Sequence, residues 1–309
     1  EIDLISKKKP ETYRIEPVNP LFLFSSPSVR ESDLIVSADL ATRIERVLIE
    51  FRNRRKLQSY GYANRRKLLL EGVPGTGKTL TASVIASELG LPLYTVQMDK
   101  LVSKFMGETS SKLRQVFDAM YTDEGVYFFD EFDAMVPRRS GEEGNQHYDS
   151  EVNEFLCMLN NASDKGVYVL AATNHPERID KAVLRTGRID EMVYIDMPDI
   201  EARKSLFALE LSKLPTEGDI DTTHLSELTN GYNCSDISYI VKSAARKKFN
   251  ETIKSPDGKK QGITQEVLEE IIATRSPSVS IKSLREYERV RSEFSPKDKG
   301  LKPVTIGFR

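Results

Sequence analysis

The chain has 309 residues, enough for two domains or for one large domain with an appendage. Its 45 basic and 47 acidic residues nearly cancel, which removes any bulk attraction to nucleic acid or to an anionic membrane. Two cysteines, Cys157 and Cys234, stand far apart in helical patterns. They offer neither a disulfide framework nor metal-ligand spacing, so they read as small packing residues in a cytoplasmic or other reducing compartment. No apolar run is long enough to span a bilayer, and no signal peptide is visible. The first residue is Glu1 rather than Met, which leaves room for an N-terminal anchor or adaptor domain ahead of it.

Residues 1–32 are polar and carry Pro10, Pro17, Pro20 and Pro27, the pattern of an extended arm or linker. A helix is expected from Ala38 to about Tyr60. Short apolar runs follow at 67–71, 93–97, 126–130, 167–172 and 192–195, with helical segments between most of them. Strands alternating with helices predict an α/β fold over 33–198, with a parallel sheet covered on both faces. Val126-Tyr127-Phe128-Phe129 has no polar residue, as a central strand buried on both sides would. From about residue 199 the strand signals stop, and helical patterns at 199–212, 222–230, 235–252 and 264–274 predict a small helical domain over 199–275. Residues 276–309 hold a last helix, Ser283 to Phe294, and a polar tail. Ser283 and Glu286 have capping-box spacing at its start.

Residues 72–79, Gly-Val-Pro-Gly-Thr-Gly-Lys-Thr, fit the phosphate-binding loop G-x-x-x-x-G-K-[ST]. The loop follows a short apolar run and precedes a helical pattern, the strand–loop–helix context the motif requires. Its backbone N–H groups can turn inward around a polyphosphate, and the helix behind it points its positive end at the same anion. Lys78 adds a charge at the β- and γ-phosphates, and the Thr79 hydroxyl can ligate Mg²⁺. Pro74, Gly75, Thr76, Gly77, Lys78, Thr79 and Leu80 are the candidate nucleotide-binding residues. Asp130 and Glu131 directly follow the apolar strand, and strand ends are where an open α/β sheet presents its ligands. One carboxylate there, Asp130, can hold Mg²⁺ through water, and Glu131 can polarise an attacking water. Asp133 is not counted with them and reads as a cap of the following turn. His147 is a poor metal ligand, because no second His or Cys stands at metal spacing.

Taken together, GVPGTGKT and FFDEFD resemble the Walker A and Walker B elements of the AAA ATPase family, and the resemblance runs from about Ile35 to Phe294. It implies ATP and Mg²⁺ as ligands and ATP hydrolysis as the activity. Ala171-Ala172-Thr173-Asn174 resembles the sensor-1 segment, which makes Asn174 the group that orients water; alone it would read as a turn Asn before Pro176. Leu184-Arg185-Thr186-Gly187-Arg188-Ile189-Asp190 resembles the family's LRPGRFD segment, with Thr186 in place of the usual proline. The resemblance makes Arg185 and Arg188 fingers that reach the ATP of a neighbouring subunit. It therefore implies a homo-oligomeric ring, a hexamer.

Lys104-Phe105-Met106-Gly107-Glu108 resembles the pore loop that grips a polypeptide, an apolar and sequence-tolerant contact. The stretch 138–150 is expected to be a loop whose His147 and Tyr148 either line the channel or are solvated. Asp149 and Ser150 stand where the family often has arginines, which puts one inter-subunit contact in doubt. Gly231-Tyr232-Asn233-Cys234-Ser235-Asp236-Ile237 resembles the start of a small-domain helix, with Asp236 as a helix-start residue. Ser276-Pro277-Ser278-Val279-Ser280, then Leu284, Tyr287 and Phe294, resemble the C-terminal helix of the katanin, spastin and ESCRT-disassembly group.

The function implied is ATP-driven remodelling of a protein or peptide substrate, threaded through the ring pore. The three histidines, His147, His175 and His224, include no HExxH motif, so proteolysis would need a protease partner. Two alternatives stand beside this reading. The basic runs 52–56 and 65–67 suggest a nucleic-acid motor or loader, against which the slightly acidic net charge argues. A nucleotide-gated scaffold with little turnover is the other; intact Glu131, Asn174 and both arginines argue against it.

Overall fold

The computed structural model describes residues 19–102, 108–138, 146–162, 166–180, 182–183, 187–254 and 261–294. Six strands form one sheet: β1 (Phe22–Ser25), β2 (Lys67–Glu71), β3 (Leu93–Val96), β4 (Gly125–Phe129), β5 (Val167–Thr173) and β6 (Glu191–Tyr194). Their spatial order is β1-β3-β4-β5-β2-β6, parallel throughout except where β1 pairs antiparallel with β3. Every residue of β2, β4 and β5 is buried, the polar Lys67, Glu71 and Thr173 at strand ends included, as central strands covered on both faces require.

The alternation of side chains splits the core into two layers. On one face Leu69, Tyr127, Phe129 and Val169 meet Leu113 and Phe117 of α5 (Glu108–Thr122) and Phe155 and Leu159 of α6 (Gln146–Asn161). On the other, Leu68, Leu70, Phe128 and Leu170 meet Leu40, Ile44 and Val47 of α1 (Ala38–Arg52) and Ala82 and Ile85 of α3 (Lys78–Leu89). The expected sheet covered on both faces is thus present.

Several details differ from the sequence reading. Residues 22–25, inside the expected arm, supply an edge strand, with Phe22 edge-on to Tyr94 and Tyr127. The helix expected to run to Tyr60 breaks at Asn53, whose side chain bonds back to the Ile49 carbonyl, and restarts as α2 (Arg54–Ser59). Cys157 is exposed rather than packed. A four-residue helix, α4 (Met98–Leu101), follows β3.

Helices α7 (Ile200–Leu211), α8 (Thr222–Leu228), α9 (Cys234–Lys254) and α10 (Gln265–Ala273) surround a core of their own. Phe207, Leu225, Ile237, Ile240, Val241 and Leu268 form it, all fully buried. The last helix, α11 (Ile281–Phe294), starts two residues before the expected capping box. Ser280 takes the capping role, its hydroxyl accepting from the Ser283 N–H at 3.1 Å.

Candidate functional site

The parallel order β4-β5-β2 puts three strand ends side by side. Glu71 pairs with Thr173, and Phe129 with Ala171. The loop after β2, the acidic pair after β4 and Asn174 after β5 therefore emerge at one edge of the sheet, where open α/β folds bind ligands.

The phosphate loop is built by close backbone approach. A Cβ at Gly72 would lie 2.4 Å from the Ile195 carbonyl oxygen. Gly77 closes the loop in a left-handed conformation (φ 104°) and starts α3 at Lys78. The Thr76 hydroxyl donates to the Val73 carbonyl at 2.8 Å and pins the turn. Lys78 folds over the loop, its Nζ donating to the carbonyls of Gly72 (2.9 Å) and Val73 (3.0 Å). Burial lowers its pKa to about 8, opposed by the nearby Asp130 carboxylate. Pro74, Thr79 and Leu80 are exposed, while Gly75 and Gly77 are half-buried.

After β4 the chain turns sharply. Glu131 is exposed and is the single non-glycine residue with positive φ (51°) among the described residues. Its N–H donates to the half-buried Asp130 carboxylate at 2.9 Å. Such a conformation carries strain of about 1–3 kcal/mol and persists only where surroundings impose it. Asp133 accepts the Thr173 hydroxyl at 2.7 Å and so ties the acidic turn to the end of β5. Thr173 in turn accepts the His175 N–H at 2.8 Å. The Asn174 side-chain oxygen is buried without a hydrogen-bond partner, and its main-chain oxygen accepts the Tyr287 hydroxyl from α11.

The N-terminus of α9 closes on the phosphate loop. Asn233 donates to the Pro74 carbonyl at 3.0 Å, the Ser235 N–H to the Gly75 carbonyl at 3.1 Å, and the Cys234 thiol to the Thr76 carbonyl at 3.7 Å. Asn233 and Asp236 also cap each other: each backbone N–H donates to the other's side chain. Burial works against the Asp236 charge, yet bonds from Arg275, Ser278 and Asn233 outweigh it and hold the carboxyl below its usual range. The sequence offered Asp236 as a helix-start residue. Its Asn-x-x-Asp spacing was the signal for Asn233, whereas nothing local pointed to Tyr287 or to the Thr173–Asp133 bond.

Arg188 lies elsewhere. It precedes β6 at the N-terminal edge of the parallel strands, opposite the phosphate loop, and donates to the Ala182 carbonyl at 2.6 Å. Residues 146–150 form the first turn of α6 rather than the expected loop. Arg185, Lys104, Phe105 and Met106, and the side chains of His147 and Tyr148, lie outside the described residues. Among the described residues no three His, Cys, Asp or Glu side chains cluster as a metal cage. A phosphate-site Mg²⁺ needs none, since it takes phosphate oxygens, water and one or two protein oxygens. The exposed Thr79 and the half-buried Asp130, whose charge acts on Lys78, suit that role. No described helix is long and apolar enough to cross a membrane.

Residues 68–197 match the model of the ATPase family associated with various cellular activities, AAA. The chain carries an AAA ATPase domain. That makes the phosphate loop part of a nucleotide-binding, ATP-hydrolysing domain. The chain is also 35% identical over 239 residues to a cell division cycle protein 48 homolog of Archaeoglobus fulgidus, covering 74% of this chain and 33% of that protein. It is 32% identical over 263 residues to a candidate ribosome biogenesis ATPase, nvl, of Dictyostelium discoideum, covering 83% and 30%. A candidate cell division cycle ATPase of Plasmodium falciparum is 34% identical over 188 residues, 60% of this chain and 15% of that protein. The AAA domain and its helical companion thus span about a third or less of the length of these relatives.

Proposed function

We propose that the chain is one subunit of an ATP-driven ring, a hexamer, that remodels, unfolds or disassembles proteins by threading a polypeptide through its pore. The observation that carries this reading is the division of the chemistry between two edges of one sheet. Lys78, Asp130, Glu131 and Asn174 gather at one edge, and Arg188 sits at the other. The five residues of β2 alone span roughly 13 Å at about 3.3 Å per step. An arginine below that strand serves the phosphates of another copy more readily than its own. A surface that meets a different surface on the next copy either closes into a ring or makes a filament.

In this reading the loop N–H groups and Lys78 hold the phosphates, and Leu80 flanks the nucleotide. Glu131 takes the proton of the attacking water, Asn174 orients that water, and Arg185 and Arg188 of the neighbour stabilise the transferring phosphoryl group. Mg²⁺, when bound by Thr79 and Asp130, supplies neutralising charge at the phosphates. Lys104, Phe105 and Met106, with His147 and Tyr148, are the pore contacts. The assignment to the katanin, spastin and ESCRT-disassembly group rests on the C-terminal helix and is ours alone, since the relatives above carry cell-division-cycle and ribosome-biogenesis names. A reducing intracellular compartment suits the two free thiols. An adaptor that delivers substrate, or a protease that degrades what is unfolded, is the partner this reading allows.

The basic runs give little support to a nucleic-acid motor. Arg65 pairs with Glu50 and Glu191, Arg52 with Glu88, and Arg54 lies over the Phe51 ring. Glu131→Gln should bind ATP as the parent does but hydrolyse it on the order of 10²–10⁴-fold more slowly, as loss of a general base does. Equal turnover would favour a nucleotide-gated scaffold instead. Phe105→Ala should keep ATPase activity and lose unfolding of a model substrate; unfolding at the parental rate would defeat the threading reading.

A further inference from the structure

Lys67 is a buried lysine that the chemistry above does not use. It opens β2, is 5% exposed, and lines a cavity of about 500 Å³ with Arg65, Arg66, Gly187 and Asp190 at the edge of the sheet opposite the phosphate loop. Its ammonium makes no contact with the nucleotide side. Instead Nζ donates to the Gly187 carbonyl at 2.7 Å and to the Leu159 carbonyl, near the end of α6, at 3.4 Å. Burial lowers its pKa, with Asp190 opposing. A charge kept inside at that cost implies that its bonds hold something in place.

What they hold is the turn that carries Arg188. The Gly187 carbonyl belongs to the peptide bond that joins Gly187 to Arg188. Two residues further on, the Asp190 carboxylate accepts the backbone N–H of Arg66 (2.9 Å) and of Lys67 (3.0 Å), and the Asp190 N–H donates to the Lys67 carbonyl at 2.7 Å. Arg66 donates to the Ala162 carbonyl and Lys67 to the Leu159 carbonyl, both at the end of α6, where unpaired helix carbonyls favour a cation. The start of β2 is therefore bonded on one side to the turn 187–190 and on the other to α6. Asp190 fixes the far end of the turn to the backbone of Arg66 and Lys67 through its carboxylate and its own N–H. The near end, at the Gly187–Arg188 peptide, is held by the Lys67 ammonium on the Gly187 carbonyl, beside the bond from Arg188 to the Ala182 carbonyl.

We infer that Lys67 is a positioning residue for Arg188, setting where that arginine stands when it reaches the ATP of the next subunit. The inference rests on the trans-acting role of Arg188 proposed above. Because β2 runs from Lys67 to the phosphate loop without interruption, the same strand sets both the subunit's own ATP site and the arginine it offers its neighbour. A displacement of about 1 Å at a catalytic group costs on the order of 10²-fold in rate, so loss of the Lys67 bond is expected to matter.

Lys67→Met keeps the aliphatic stem and removes the ammonium. Its subunits should bind a fluorescent ATP analogue as the parent does, while kcat falls about 10- to 100-fold with KM little changed. The deciding measurement is single-turnover hydrolysis in mixed rings. Glu131→Gln subunits cannot hydrolyse but carry an intact Lys67 and Arg188. Adding them should raise the rate per Lys67→Met subunit toward the parental value, and do the same for Arg188→Ala subunits run in parallel. General destabilisation would not be repaired by a neighbour. Parental turnover in Lys67→Met, or impairment without rescue while Arg188→Ala is rescued, overturns the role of Lys67 alone. Full turnover in Arg188→Ala, or its failure to be rescued, overturns the trans-acting arginine and this inference with it. Should Lys67→Met not fold, Lys67→Gln, which keeps an uncharged donor, enters the same comparison with the same outcomes.

Discussion

Burial brings the Lys78 ammonium to a pKa of about 8, so near that pH the free protein holds it partly neutral. Bound phosphate must raise that pKa, because an adjacent anion favours the charged form. Nucleotide binding then takes up a proton. Affinity for ATP is full below about 8 and declines as pH rises through the free-protein value toward the bound one. Calorimetry just above that pH, in buffers of different ionisation heat, should report proton uptake on binding, and Lys78→Met should abolish it. Glu131 makes a different point at the same scale. Its exposed carboxylate is held in a left-handed conformation that glutamate does not favour, with its N–H on Asp130. Motif and strand placement made Glu131 visible in sequence, but its positive φ was not, because no local pattern at a non-glycine residue encodes it.

Among the elements, α9 and α11 link the helical part to the phosphate loop and to Asn174. The first turn of α9 bonds three carbonyls of the phosphate loop through Asn233, Cys234 and Ser235. The path continues through Asn233 and Asp236 to Ser278 and Arg275, just before α11. Asn233 is 2% exposed and bonds in both directions, so its truncation leaves buried groups unpaired. Asn233→Ala should cost about 1–3 kcal/mol of stability in urea denaturation and weaken ATP binding, whereas Ser280→Ala should cost only a cap, about 1 kcal/mol or less. Tyr287 of α11 meets the Asn174 carbonyl, and burial pushes its phenol up to about 12, so the hydroxyl stays a donor at neutral pH. Helix existence was readable from periodicity in both cases. Which loop each helix touches depends on packing more than a hundred residues along the chain, and no local pattern encodes that.

At the scale of the whole molecule, the phosphate loop and Arg188 occupy opposite edges of one sheet, so on the trans-acting reading proposed above a lone subunit holds an incomplete arrangement. ATPase activity per subunit should therefore rise with protein concentration and level off as rings form, read by turnover across a dilution series beside light scattering. Activity independent of concentration, with monomers present throughout, would contradict the ring. Removing Mg²⁺ with a chelator should abolish turnover at every concentration.

The octapeptide 72–79, the buried strand before Asp130 and the alternation of strands and helices were decided by the sequence alone, because each is a local pattern with a direct backbone consequence. The strand order was not. It came from the way the two apolar layers pack, and it brings Asp130, Glu131 and Asn174 beside Lys78 while sending Arg188 to the far edge. The antiparallel edge strand at 22–25 escaped notice because four residues among prolines carry almost no periodicity, and tertiary pairing with β3 overrides that weak signal. Lys67 read as one charge in a basic run, and only its burial beneath Gly187 gave it a partner, since a side chain's bonds across 120 residues follow from the fold and not from its neighbours in sequence.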